Sequence, residues 1–224
     1  MKKNIYFFAA FVVSISLAPL RLSSSEVSGH IRMVGPNGRA TAAAVVYAES
    51  LDGPSPARPG HYQLAQKNKS FVPHILAIPA GSTVDFPNMD AIFHNVFSLS
   101  RPAPFDMGLY RAGGSKAQVF THPATYHVFC NIHPQMSAVI LVLSTSLITE
   151  VDDSGNYRLN LPAGHYRVTA WSDGANPVTS PVTVETAPVT VSEMSIEVHT
   201  LQTPHKNKYG QDYPAAAYDP LKGN

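Results

Sequence analysis

The stretch Tyr126-His127-Val128-Phe129-Cys130-Asn131-Ile132-His133-Pro134-Gln135-Met136 decides how this chain is to be read. Its first five residues predict a strand, and the period of two puts Tyr126, Val128 and Cys130 on one face. That face predicts an inward side, with the thiol at a rigid strand end in a dry pocket. His127 falls on the opposite, exposed face. A thiol, an imidazole and a thioether then follow within seven residues, and Pro134 stiffens the loop that carries them. Strand structure resumes at Ser137–Leu143, a run apolar enough to predict cover on both faces.

Cys130 is the single cysteine of the chain. The N-terminus explains why that matters. Lys2 and Lys3, an apolar stretch from Ile5 to Ala18, Pro19, and the small residues Ser23 and Ser25 read as a signal peptide over residues 1–25. At about 14 residues the stretch falls short of the roughly 20 that span a membrane. The expectation is an exported, periplasmic protein with no membrane span after cleavage. There a lone cysteine has no partner for an internal disulfide and needs another use, for which a protected metal thiolate qualifies.

Two histidines, one cysteine and a long, weak axial methionine make a type 1 copper site. Cys130, His133 and Met136 supply three of the four, and His94, in Phe93-His94-Asn95-Val96, is the upstream candidate. Asn95 is placed to hydrogen-bond across to the second loop or the sulfur, fixing the loops before copper arrives. Other uses of these residues stand beside this one. A thiol nucleophile needs an orienting group that the sequence does not supply, and structural zinc prefers more cysteine and no thioether. Met136 as core filler is a further reading. Met89 and Met107 are alternative axial donors away from the Cys130 loop. His74 and His122 default to surface or core roles.

On these residues, with Thr125-Tyr126 and Pro79-Ala80-Gly81-Ser82-Thr83-Val84, residues 61–145 resemble the cupredoxins, with a ligand spacing closest to amicyanin's. The resemblance implies one copper ion held by His94, Cys130, His133 and Met136, with Asn95 bonded behind them. It implies a buried His94, a more exposed His133 near an apolar surface, transient redox protein partners, and electron transfer without enzyme activity. The competing class is a copper-delivery protein, or a glycan- or protein-binding module with an accessory copper site.

A second unit is expected around the first. The segment Val151–Val168, with Asp152-Asp153-Ser154-Gly155-Asn156 as its turn, resembles carboxypeptidase-regulatory-like, transthyretin-like sandwiches. Such modules open with strand pairs like Val27–Ile31 and Ala44–Glu49, which here lie far upstream. The predicted organisation is all-β: a cupredoxin Greek-key sandwich inserted into, and packed on, a discontinuous sandwich of residues 26–50 plus 146–201. Asp52–Gly60 reads as a linker, Ser100–Ser115 as an irregular stretch, and residues 202–224 as a solvated tail.

Charge narrows the partners. The chain has 16 basic and 15 acidic residues; losing Lys2, Lys3 and Arg21 leaves 13 against 15. That balance, without a basic stripe, excludes nucleic acid. None of the ten histidines forms a His-x-His pair, which argues against a copper oxidase or reductase with further copper centres.

Overall fold

The computed structural model describes residues 24–35, 43–199 and 205–214. The expected signal peptide, apart from Ser24 and Ser25, lies outside the described residues. Among the described residues all regular structure is β, and no helix is long and apolar enough to cross a membrane.

Residues 24–50 and 148–197 build one sandwich. In its first sheet β1 (Ser24–Val34) lies between β14 (Asn156–Pro162) and β17 (Val189–Thr190), and also pairs with β18 (Met194–Glu197). The facing sheet runs β13 (Ile148–Glu150), β2 (Val45–Ser50), β15 (Gly164–Trp171), β16 (Val178–Val184). In the antiparallel β2–β15 pair, Ala48 stands opposite Val168 and Val45 opposite Trp171. Alternation decides the inner faces: Val27 and Ile31, Tyr157, Leu159 and Leu161, and Val168 and Ala170 are buried together in one cluster.

The middle of the chain builds the other. One sheet runs β10 (Ser115–Phe120), β7 (Ser82–Pro87), β3 (His61–Gln63), beside a small ladder of β4 (Ala65–Lys67) and β5 (Ser70–Val72). The other runs β6 (Ile75–Pro79), β12 (Ser137–Leu143), β11 (Ala124–Phe129), β8 (His94–Ser98), β9 (Phe105–Tyr110). Its core gathers Phe86, Val96, Tyr126, Val128, Cys130, Met136 and Ile140.

Strand β12 joins the two sandwiches. Ala138, Ile140 and Val142 point into the second core, while Leu141 and Leu143 enter a separate cluster with Val45 and Ile75. Tyr47 and Trp171 of the first sandwich pack against that cluster. The continuous apolar character of β12 follows from this double burial.

Two expectations are corrected. Ser100–Ser115 is not wholly irregular: β9 lies within it and pairs with β8, through a bulge between Asn95 and Phe97. Its strand signal is blunted by Gly108 at φ +65° in mid-strand. Strands β5 and β6 are separated at Pro73, which has no amide to give a ladder. The described part of the tail, 205–214, is folded against the second sandwich.

Candidate metal centre

Three strands position the site. Strand β11 is antiparallel to β12 with Phe129 opposite Ser137, so residues 130–136 close the hairpin between them. The Cys130 amide donates to the Met136 carbonyl at 3.3 Å, and the Met136 amide to the His133 carbonyl at 2.9 Å. These two bonds fold the seven-residue loop back on itself. On the other side β11 meets β8, with Phe129 opposite Phe97, which brings His94 to the same end of the sheet.

The donors of His94, Cys130 and His133 converge there. Cys130 Sγ lies 3.8 Å from Nδ1 of His94 and 3.8 Å from Nδ1 of His133, and the two nitrogens are 3.1 Å apart. Metal bonds of about 2.0–2.1 Å to imidazole and 2.3 Å to thiolate would put each nitrogen roughly 3.7–3.8 Å from the sulfur, and the nitrogens roughly 3.5 Å apart, in a trigonal plane. Both sulfur–nitrogen distances match this, and the closer nitrogen pair would subtend a narrower angle at the same ion. A thiolate with two imidazoles in this arrangement is the donor set of a copper ion. His94 and Cys130 are fully buried and His133 is half-buried. Met136 is buried in the same core cluster as Cys130.

Each imidazole is prepared for the role. His94 Nε2 lies 2.8 Å from Asp90 Oδ2. With Nδ1 facing the sulfur, Nε2 carries the proton and donates to the carboxylate, which fixes tautomer and ring orientation. Asp90 is itself held by the Asn68 and Lys69 amides, at 2.6 and 2.8 Å, both residues lying at positive φ in the β4–β5 turn. Burial pulls the Asp90 carboxyl up, but bonds from Lys69, His94 and Asn68 outweigh it and hold the group below its ordinary range. Burial, with His94 and Lys69 adding to it and Asp90 opposing, lowers the His133 pKa, favouring the neutral, metal-binding form.

Asn95 ties the ligand segments together. Its Oδ1 accepts the Asn131 amide at 2.6 Å, and its Nδ2 donates to Asp106 Oδ1 at 3.0 Å. Asn88 shapes the approach to His94, donating to the Ile92 carbonyl at 2.8 Å and accepting the Asp90 amide at 3.0 Å.

His127 is exposed and pairs with Asp173 of the first sandwich at 3.2 Å, and His74 bonds the Ser137 carbonyl at 3.2 Å. The residues that sequence reading missed are Asp90, Asp106, Asn131 and the tail residues that bond Asn131. Asp90, four positions before His94, was the one with a legible signal.

No protein-family model and no curated sequence matches the chain. Among solved structures it is similar to a copper-containing nitrite reductase from Thermus scotoductus, at 30% identity over 38% of this chain, with a TM-score of 0.36. It spans about 22% of that reductase's length. It is similar to a purple cupredoxin from Nitrosopumilus maritimus, at 23% identity over 37% of this chain and 99% of that one, TM-score 0.34. It is also similar to the copper(I) form of an amicyanin variant, at 21% identity over 43% of this chain and 99% of that one, TM-score 0.36.

Proposed function

We propose that the protein is an exported, periplasmic blue-copper electron carrier, with no enzyme activity of its own. His94, Cys130 and His133 hold one copper ion and Met136 is the long axial donor. The observation that carries this reading is the convergence of the buried Cys130 sulfur and two imidazole Nδ1 atoms on one point. Bound copper supplies one-electron redox chemistry. The chain supplies a geometry that neither oxidation state has to rebuild: Asp90 orients His94, Asn95 pins the Cys130 loop, and the surrounding core excludes water.

The half-buried His133 is the proposed electron port. Exposed apolar side chains flank the ligands in the chain, Phe93 at 58%, Met89 at 61% and Ile132 at 44% exposure. Apolar surface beside a half-buried ligand suits small, short-lived interfaces with redox proteins.

The proposed domain organisation is a copper sandwich of residues 61–145 inserted into a transthyretin-like sandwich of 26–50 plus 146–201. Pairing of β2 with β15, and the cluster that β1 and β2 share with β14–β18, support it. A glycan or protein is the proposed class of ligand for the transthyretin-like sandwich.

The deciding experiment is the visible spectrum of copper-loaded protein. An intense thiolate-to-copper band, absent in Cys130→Ser and reversibly bleached by reductant, is expected. A colourless wild type overturns the reading. A band that cannot be cycled while copper passes readily to a chelator points to metal delivery instead.

A further inference from the structure

Residues 205–214 belong to none of the three hydrophobic clusters. They form a small hairpin of their own. Lys206 bridges Asp212, the Asn207 side chain accepts the Tyr209 and Gln211 amides, and Gly210 takes the left-handed conformation at φ +77° that the turn needs.

What the hairpin grips is specific. The Lys208 amide donates to Asn131 Oδ1 at 3.0 Å. The Tyr213 hydroxyl lies 3.2 Å from the Asn131 carbonyl and 3.3 Å from its side-chain oxygen. Lys208 Nζ pairs with Asp106 at 2.8 Å, and Asp106 is the carboxylate that Asn95 bonds. Because Asn95 also accepts the Asn131 amide, the bonds close a ring from the tail through Asn131, Asn95 and Asp106 back to the tail. On the other side of the cysteine, the His205 ring lies flat on Phe129, with centroids 3.7 Å apart and planes 6° from parallel. The residues before and after Cys130 are therefore both held by a segment more than seventy positions downstream.

A segment that only tidied the C-terminus would have no reason to take the carbonyl and side-chain oxygens of the residue next to the thiolate. On the copper reading above, we infer that the C-terminal hairpin is a positioning strap for the metal site. It holds Asn131 and Phe129, and through them the Cys130 thiolate and the loop to His133, in the donor geometry before metal arrives. Tyr213 and Lys208 are positioning residues; neither is a ligand. Partners of this kind, one layer behind the ligands, typically change metal affinity or activity by 10–100-fold when removed.

Two variants of the full protein test this: a chain ending at His199, and Tyr213→Phe, which keeps the ring and loses only the hydroxyl. In the metal-free proteins, hydrogen exchange at the amides within residues 131–136, Pro134 having none, is expected to quicken about tenfold or more in the shortened chain, with β1 and β14 unchanged. Tyr213→Phe moves the same amides by less. In the copper-loaded proteins, release of copper to a competing chelator quickens in the same order, and the visible band shifts. Unchanged exchange at 131–136 in both variants overturns the inference. So does equal quickening in β1 and β14, which assigns the tail to global stability, and so does copper release at the wild-type rate. If the shortened chain does not fold, Tyr213→Phe carries the test. If the wild type binds no copper, the exchange measurement still decides the strap, and the failure falls on the copper reading alone.

Discussion

The backbone amide of Asn131 donates to the side-chain oxygen of Asn95 at 2.6 Å, joining the residue after Cys130 to the residue after His94. One side chain thereby fixes the spacing of two donors that come from different strands. Asn95→Ala leaves the Asn131 amide without this acceptor and takes a donor from Asp106. The expected results are a stability loss of about 1–3 kcal/mol in urea denaturation of the metal-free protein and copper affinity about 10–100-fold weaker in a chelator competition. An affinity equal to wild type would show that the two ligand segments hold their spacing without the bridge.

Asp90 is aimed at the outer nitrogen of His94. Its charge makes the imidazole a stronger donor, which favours the more highly charged state of a bound copper ion. Asp90→Asn keeps the size, removes the charge and sets an amide against three hydrogen-bond donors, from Asn68, Lys69 and His94. The reduction potential should rise and the affinity for copper(II) should fall by about tenfold or more. Redox titration of the visible band checks the sign; an unchanged or lower potential would remove Asp90 from the tuning of the site.

The parts legible in the sequence are those with a local physical signal. Alternation placed Tyr126, Val128 and Cys130 inward, and all three are buried. The unbroken apolar run of β12 announced two buried faces, and it has one cluster on each. The spacing of Cys130 and His133, with His94 beside an asparagine, singled out three residues whose donors converge. The tail had no such signal. Its contacts with Asn131 and Asp106 span 77 to 102 positions and are made by ordinary polar residues, so neither periodicity nor composition marks them. β9 was lost for a different reason: a glycine and a bulge interrupt the alternation by which strands are recognised.

Leu141 tests whether the sandwiches melt as one. It is buried between Val45 and Ile75, with Trp171, the only tryptophan, packed on the same cluster. Leu141→Ala should cost about 2–5 kcal/mol through lost burial and a residual cavity. For a chain of this size that lowers the melting temperature by roughly 4–20 °C. Trp171 emission reports the shared cluster and the visible band reports the metal site. Their midpoints should coincide in the wild type and fall together in the variant; separate midpoints would mean that the sandwiches unfold independently.

Docking of the tail should depend on pH through His205. Burial against Phe129 pushes this imidazole from an ordinary 6.5 down to about 4, so the docked hairpin favours the neutral ring. The charged groups nearby in the network are Lys206, Lys208 and Asp212 of the hairpin and Asp106 across from it. Above pH 6.5 the docked and undocked forms are both neutral and docking has its full strength. As pH falls from 6.5 towards about 4, the undocked ring takes a proton that the docked ring refuses, and docking weakens. Below that the penalty is constant, because both forms are charged. The His205 ring protons followed by NMR should titrate near pH 4 in the intact protein and move back towards 6.5 in Phe129→Ala. Hydrogen exchange at residues 131–136, corrected for the intrinsic pH dependence of exchange, should quicken over the same interval. A His205 that titrates near 6.5 in the intact protein would mean that its ring is not held against Phe129 in solution.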